Sequence, residues 1–239
     1  RLRTGRSEVR ILSGAFFSFR ELSMIVKKFT TGPIDTNSYL LICPSSKSAV
    51  VIDVGQDSAQ ELNSYAERHQ LKLEKILLTH SHWDHIAGLA HLKNHLDIRV
   101  YVHQDDENNI INPGSDGLLL FIPIQGVKVD HYLKDEEVIN AGDLRIKVIH
   151  TPGHTPGGVC FYLEEQKMLF SGDTLFQGAI GRMDLPTACS PLKMIESLKK
   201  LETLPQETII YPGHGEKTTI KQELSNIHAM EKLLHKRKI

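Results

Sequence analysis

The chain has 239 residues, of which 40% are hydrophobic and 24% charged, values that exclude a disordered, collagen-like or coiled-coil polypeptide. A net charge of −1 offers neither a nucleic-acid groove nor a polybasic membrane face, and the longest uninterrupted apolar run, residues 118–122, is far too short to span a bilayer. The three cysteines, Cys43, Cys160 and Cys189, are widely spaced and form no C-x-x-C, which favours a reducing, cytoplasmic setting over a disulfide framework.

Residues 1–23 hold five of the ten arginines, Arg1, Arg3, Arg6, Arg10 and Arg20, and none of the eighteen lysines. Their charge is +3 against −4 for the rest, so this stretch reads as an extension outside the fold, with a single domain over 24–239. From Met24, residues 24–31, 38–43 and 49–53 read as short strands separated by Gly32-Pro33 and Pro44-Ser45-Ser46 turns. Residues 59–69 turn helical, with Leu62, Tyr65 and Ala66 on one face and Asp57 or Ser58 as N-cap. A strand at 75–79, a helix at 86–96 and a strand at 99–103 follow, an alternation that argues for α/β layering.

Residues 104–126 are irregular, and Asp105-Asp106-Glu107 reads as a solvated face. Strands resume at 144–150, 159–163 and 168–171. Ser190-Pro191 predicts a capping hydroxyl and a first-turn proline for a helix reaching about residue 204. A last strand at 208–211 precedes a final helix from about 219, with Ile220, Leu224, Ile227 and Leu234 on one stripe.

Histidine is the one compositional excess, with thirteen in the chain. Thr79-His80-Ser81-His82-Trp83-Asp84-His85 follows an apolar strand and places four ligand-type side chains in six residues. His80 and His82 share a side by strand periodicity, and one ion cannot comfortably take all four from so tight a loop, so two adjacent sites are expected. Three further segments repeat the grammar of strand, turn and ligand-type residue: Ile149-His150-Thr151-Pro152-Gly153-His154, Leu169-Phe170-Ser171-Gly172-Asp173 and Ile210-Tyr211-Pro212-Gly213-His214. Their prolines and glycines fix the turns, so His154, Asp173 and His214 can converge on the sheet edge that carries His80 to His85.

Taken in order, these motifs resemble the metallo-β-lactamase fold superfamily over nearly the whole chain from Met24. The resemblance implies a four-layer αβ/βα sandwich of two mixed sheets with outer helices. It also implies His80, His82 and His154 at a first metal site, Asp84, His85 and His214 at a second, Asp173 bridging them, and Asp53 supporting a ligand rather than binding metal. Nitrogen and oxygen donors without thiolate suit two Zn2+ per chain, with Fe2+ or Mn2+ admissible at the mixed site. Two ions about 3.5–4 Å apart would hold a bridging hydroxide for attack on an ester, thioester, amide or phosphodiester, with Asp84 and Asp173 as the catalytic carboxylates.

Within the superfamily, Thr151 to Gly157, Ser171 to Phe176 and Pro212-Gly213-His214-Gly215 are similar to the glyoxalase II, or hydroxyacylglutathione hydrolase, group, and Gly178 to Asp184 resembles its short bacterial branch. That group typically continues into a C-terminal helical domain that holds glutathione, whereas this chain runs 25 residues past His214. The expectation is a zinc-dependent hydrolase of a small-molecule thioester such as S-(hydroxyacyl)glutathione, with no nucleic-acid or membrane partner. Alternatives are a mononuclear-iron persulfide dioxygenase-like enzyme, which shares the Gly-Arg-x-Asp segment, and a lactone or phosphodiester hydrolase of the same fold. His150, on the strand leading to His154, is a candidate supporting residue, and Arg182 is either an anion anchor or half of an ion pair. Residues 118–122 are expected to cover part of the cleft or a subunit contact.

Overall fold

The structure is a computed structural model and describes residues 24–96 and 98–236; the 1–23 extension and the side chain of Leu234 lie outside the described residues. The first half contributes β1 (Ile25–Thr31), β2 (Thr36–Cys43), β3 (Ser48–Ile52), α1 (Ser58–His69), β4 (Lys72–Leu77), α2 (Trp83–Ile86), α3 (Leu89–His95), β5 (Arg99–His103), α4 (Glu107–Ile111) and β6 (His131–Leu133). Its strands lie in chain order, β1-β2-β3 antiparallel and β3-β4-β5-β6 parallel. The second half contributes β7 (Val138–Ala141), β8 (Leu144–His150), β9 (Val159–Leu163), β10 (Met168–Gly172), a small hairpin of β11 (Leu175–Phe176) and β12 (Ala179–Ile180), α5 (Pro191–Glu202), β13 (Ile209–Pro212), β14 (Thr218–Thr219) and α6 (Ile220–Lys236). Its sheet has the order β14-β13-β10-β9-β8-β7, with β10 and β13 parallel and the other pairs antiparallel.

Period-2 geometry explains how these strands build layers. In β2, Tyr39, Leu41 and Cys43 meet Val159, Phe161 and Leu163 of β9 in a core between the sheets. The alternate residues Leu40 and Ile42 face Leu62 of α1 and Leu89 and Leu92 of α3. On the other side, Cys160 and Tyr162 of β9 face Met194, Leu198 and Leu201 of α5 and Ile227 of α6. Strands buried on both faces read as nearly continuous apolar runs, which is why β2, β3 and β9 are legible in sequence. The result is the αβ/βα sandwich expected.

Several local readings differ from the structure. The helix expected at 86–96 is two pieces, because Gly88 donates its N–H to the Val54 carbonyl at 3.0 Å and seats the chain against the β3–α1 turn. A Cβ there would lie 2.6 Å from the Gly55 carbonyl oxygen. The 104–126 stretch contains α4, and β6 and β7, three and four residues long, are too short for alternation to show. Neither Asp57 nor Ser190 makes a side-chain capping bond; Asp57 sits at φ 66°, and the Ser58 hydroxyl donates to the Gly55 carbonyl instead. Among the described residues, no helix is long and apolar enough to cross a membrane.

Candidate metal centre

The seven side chains expected to meet do so at one edge of the two sheets. Three groups form, each with ligand atoms within 4.8 Å of one another: His80, His82 and His154; His80, His85 and Asp173; and Asp84, His85 and His214. The turn after β4 supplies His80 and His82, and α2 supplies Asp84 and His85. Asp173 and His214 follow β10 and β13, the parallel pair, so they leave the sheet side by side. The Asp173 carboxylate spans the groups, with Oδ1 3.3 Å from His85 Nε2 and Oδ2 3.4 Å from His154 Nε2 and 3.6 Å from His214 Nε2. Gly213 permits this approach: a Cβ in its place would stand 2.2 Å from Asp173 Oδ1 and 2.7 Å from His85 Cε1.

Hydrogen bonds behind the cluster set the tautomers. Asp53, at φ 56°, accepts from the Thr79 N–H at 2.8 Å, the Thr79 hydroxyl at 2.7 Å and His85 Nδ1 at 2.8 Å. With its proton given to Asp53, the Thr79 hydroxyl accepts from His80 Nδ1 at 3.0 Å. His154 Nδ1 donates to the Arg182 carbonyl at 2.9 Å, and His214 Nδ1 to that of Ile34 at 3.0 Å. Each of these four imidazoles therefore aims Nε2 inward. His80 Nε2, His85 Nε2 and Asp173 Oδ1 are buried with no hydrogen-bond partner, and so is His82 Nε2, while His82 Nδ1 stands 2.8 Å from His154 Nε2.

Burial, reinforced by the neighbouring His85, holds the His80 imidazole well below its ordinary range. Burial and His154 push His82 down to about 3, so both imidazoles are neutral. The carboxyl of Asp173 stays well below its usual range although burial opposes this, because His85 and His154 surround it. Asp84 is lowered too, against burial, by His85 and by its bond to His214. Against the same burial, Asp84, Asp173 and Asp53 raise His85 well above its ordinary value. Orphaned donor atoms beside concentrated negative charge are what divalent cations satisfy, and the donor set fits a dinuclear centre.

Other contacts gave no sequence signal. Asp106, read as solvated, is 3% exposed; its carboxylate accepts from the N–H of Ser81 at 2.9 Å and of Gly157 at 2.7 Å, tying the His80 loop to the His154 loop. Thr36 donates to Asp84 at 2.9 Å. Asn37 Nδ2 donates to the carbonyls of Pro212 and Gly215, both at 3.0 Å, and the Tyr39 hydroxyl to that of Pro212 at 2.6 Å, so β2 pins the His214 loop. His150 touches none of the seven; it bonds the Pro156 carbonyl and stacks on His103. Arg182 sits at the cleft rim in a bidentate pair with Asp184.

The family model of the metallo-β-lactamase superfamily matches residues 31–214. The chain is 34% identical over 199 residues to a probable metallo-hydrolase, YqgX, of Bacillus subtilis, covering 82% of this chain and 93% of that one. It is 34% identical over 186 residues to the hydroxyacylglutathione hydrolase GloC of Haemophilus influenzae, covering 77% and 87%. Among solved structures, the BLEG-1 B3 metallo-β-lactamase superposes with a TM-score of 0.78 at 38% identity over 84% of this chain and 97% of that one. TTHA1623 in a di-iron-bound form gives 0.70 at 38% identity over 82% and 96%.

Proposed function

The chain belongs to the metallo-β-lactamase superfamily, and on that footing we propose that it is a metal-dependent hydrolase of a small-molecule thioester, S-(hydroxyacyl)glutathione being the kind named among its relatives. The observation that carries this reading is the pair of adjoining ligand groups, spanned by Asp173, at the floor of a cleft of about 610 Å3. His80, His82 and His154 are assigned to one ion, Asp84, His85 and His214 to the other, and Asp173 to both. Two Zn2+ so held, or Fe2+ or Mn2+ at the mixed site, would supply a water whose pKa is lowered toward ~7 and an electrophilic contact for a carbonyl oxygen.

The chain's own residues do the rest. Asp53 and the carbonyls of Arg182 and Ile34 keep the proton of His85, His154 and His214 on the side facing away from the substrate. Ionised Asp84 and Asp173 stay as acceptors throughout. Among the described residues lining the cleft, every ionisable side chain is either one of these ligands or Arg182, so no separate acid stands ready to protonate a leaving group. A thiol, with a pKa of about 8.5, departs as its anion without one more readily than an amine or alkoxide does. This favours a thioester over an amide or simple ester.

The test combines metal analysis with turnover of S-lactoylglutathione, a lactone, bis(p-nitrophenyl) phosphate and a cephalosporin. The expected result is two equivalents of metal and faster hydrolysis of the thioester than of the other three. Saturation by one equivalent of iron, with His214→Ala fully active, would overturn the reading in favour of a mononuclear enzyme. Preference for the phosphodiester, lactone or cephalosporin would overturn the substrate class.

A further inference from the structure

The inference here rests on the thioester reading and narrows it to the part of the substrate that the cleft recognises. Above the ligand atoms the walls are aliphatic and aromatic, among them Ile34, Leu118, Leu119, Phe121 and Phe176. Leu119 is 74% and Phe121 70% exposed, and Phe121 leans on Trp83 with ring centroids 5.5 Å apart. Large apolar side chains gathered at the mouth of a cleft gain free energy only when something apolar covers them. Among the described residues lining the cleft, the one cation outside the histidines is Arg182, and one edge of its guanidinium is already paired. Nε and Nη2 each donate to a different Asp184 oxygen at 2.9 Å, a bidentate pair that leaves this part of the rim electrically neutral.

We infer that the cleft recognises its thioester through an uncharged, apolar acyl chain, and that Asp184 sets this preference by neutralising the cation that an anionic substrate would otherwise meet. Glutathione thioesters then enter through the shared thioester group, with the carboxylates of the carrier left in water. Both Arg182 and Asp184 are exposed, so the pair is worth little to stability, and its consequence lies in what the rim presents to an incoming molecule.

Two substrate series test this on the metal-loaded protein: N-acetylcysteamine thioesters from acetyl to hexanoyl, and S-lactoylglutathione. In the neutral series kcat/KM is expected to rise about two- to fourfold per added methylene, as buried chain length does. The double variant Leu119→Ser, Phe121→Ser should flatten that rise while retaining two equivalents of metal. Asp184→Asn should shift the ratio of kcat/KM for S-lactoylglutathione over the hexanoyl thioester by about three- to fivefold toward the glutathione substrate. Adding Arg182→Ala should bring the ratio back. A flat wild-type series, or a ratio that Asp184→Asn does not move, would overturn the inference and leave the thioester reading standing. Failure to cleave any thioester in either series, with both metals bound, would overturn that reading and this inference together.

Discussion

A carboxylate can be buried where two backbone N–H groups meet it, and Asp106 holds such a position between the Ser81 and Gly157 amides. Burial still raises its carboxyl above the ordinary value, a cost that the fold offsets by joining two ligand loops through one side chain. Asp53 does related work with opposite reach: it spends one carboxylate on Thr79 and His85, and through them orients two imidazoles. Gly213 contributes by what it lacks. Its constraint is space, since an added methyl would overlap Asp173 Oδ1 and His85 Cε1. Gly213→Ala is therefore expected to lose at least one equivalent of metal and about a hundredfold in kcat/KM, with far-UV circular dichroism unchanged. Full metal content and activity in that variant would show that the β13 turn yields easily, and would remove the close approach as a design constraint.

At the scale of elements, the first sheet is fastened to its helices by polar clasps as well as by its core. Asp130, in the segment entering β6, accepts from the Val100 N–H of β5 at 2.9 Å and from the Lys93 ammonium of α3. Those two donors hold its carboxyl below the ordinary value, although burial alone would raise it. A carboxylate whose folded pKa is depressed stabilises the fold above its unfolded value of about 3.9, and loses that contribution as pH falls through the folded value. Wild type should accordingly exceed Asp130→Asn by roughly 0.5–1 kcal/mol at pH 6. The gap in melting temperature should close as pH falls below about 4. A gap independent of pH would assign the stabilisation to packing instead.

For the whole molecule, the metal centre is a seam. His80, His82, Asp84 and His85 belong to the first half, His154, Asp173 and His214 to the second, so ions held among them would join the two sheets where the inter-sheet core ends. Ligands that bind only the folded state raise its stability by mass action. Stripping the metals with a chelator should lower the melting temperature by about ten degrees, and stoichiometric Zn2+ should restore it. An unchanged transition after verified metal removal would mean that the apo cluster is held by its hydrogen bonds alone.

The sequence by itself determined the alternation of strands and helices and which ligand-type side chains could meet, because both are written in local pattern. Apolar or alternating runs of strand length, bounded by polar turns, specify β2, β3, β8, β9 and β10, and a ligand-type residue just past a strand end is confined to that sheet edge. Short or half-exposed pieces carried no such pattern, so β6, β7 and α4 escaped it, and Gly88 divided a helix through a contact with the remote Gly55. Only the tertiary structure decided which partners stand behind the ligands. An acidic triplet reads alike whether solvated or folded inward, and Asp106 is buried because the Ser81 and Gly157 amides converge on it from loops 76 residues apart in the chain. Arg182 likewise gave two readings in sequence, and its pairing with Asp184 emerged only once the loop was folded at the cleft rim. Hydrogen-bond partners depend on which backbone groups the fold leaves unpaired, and those are set by packing over the whole chain rather than by neighbours in sequence.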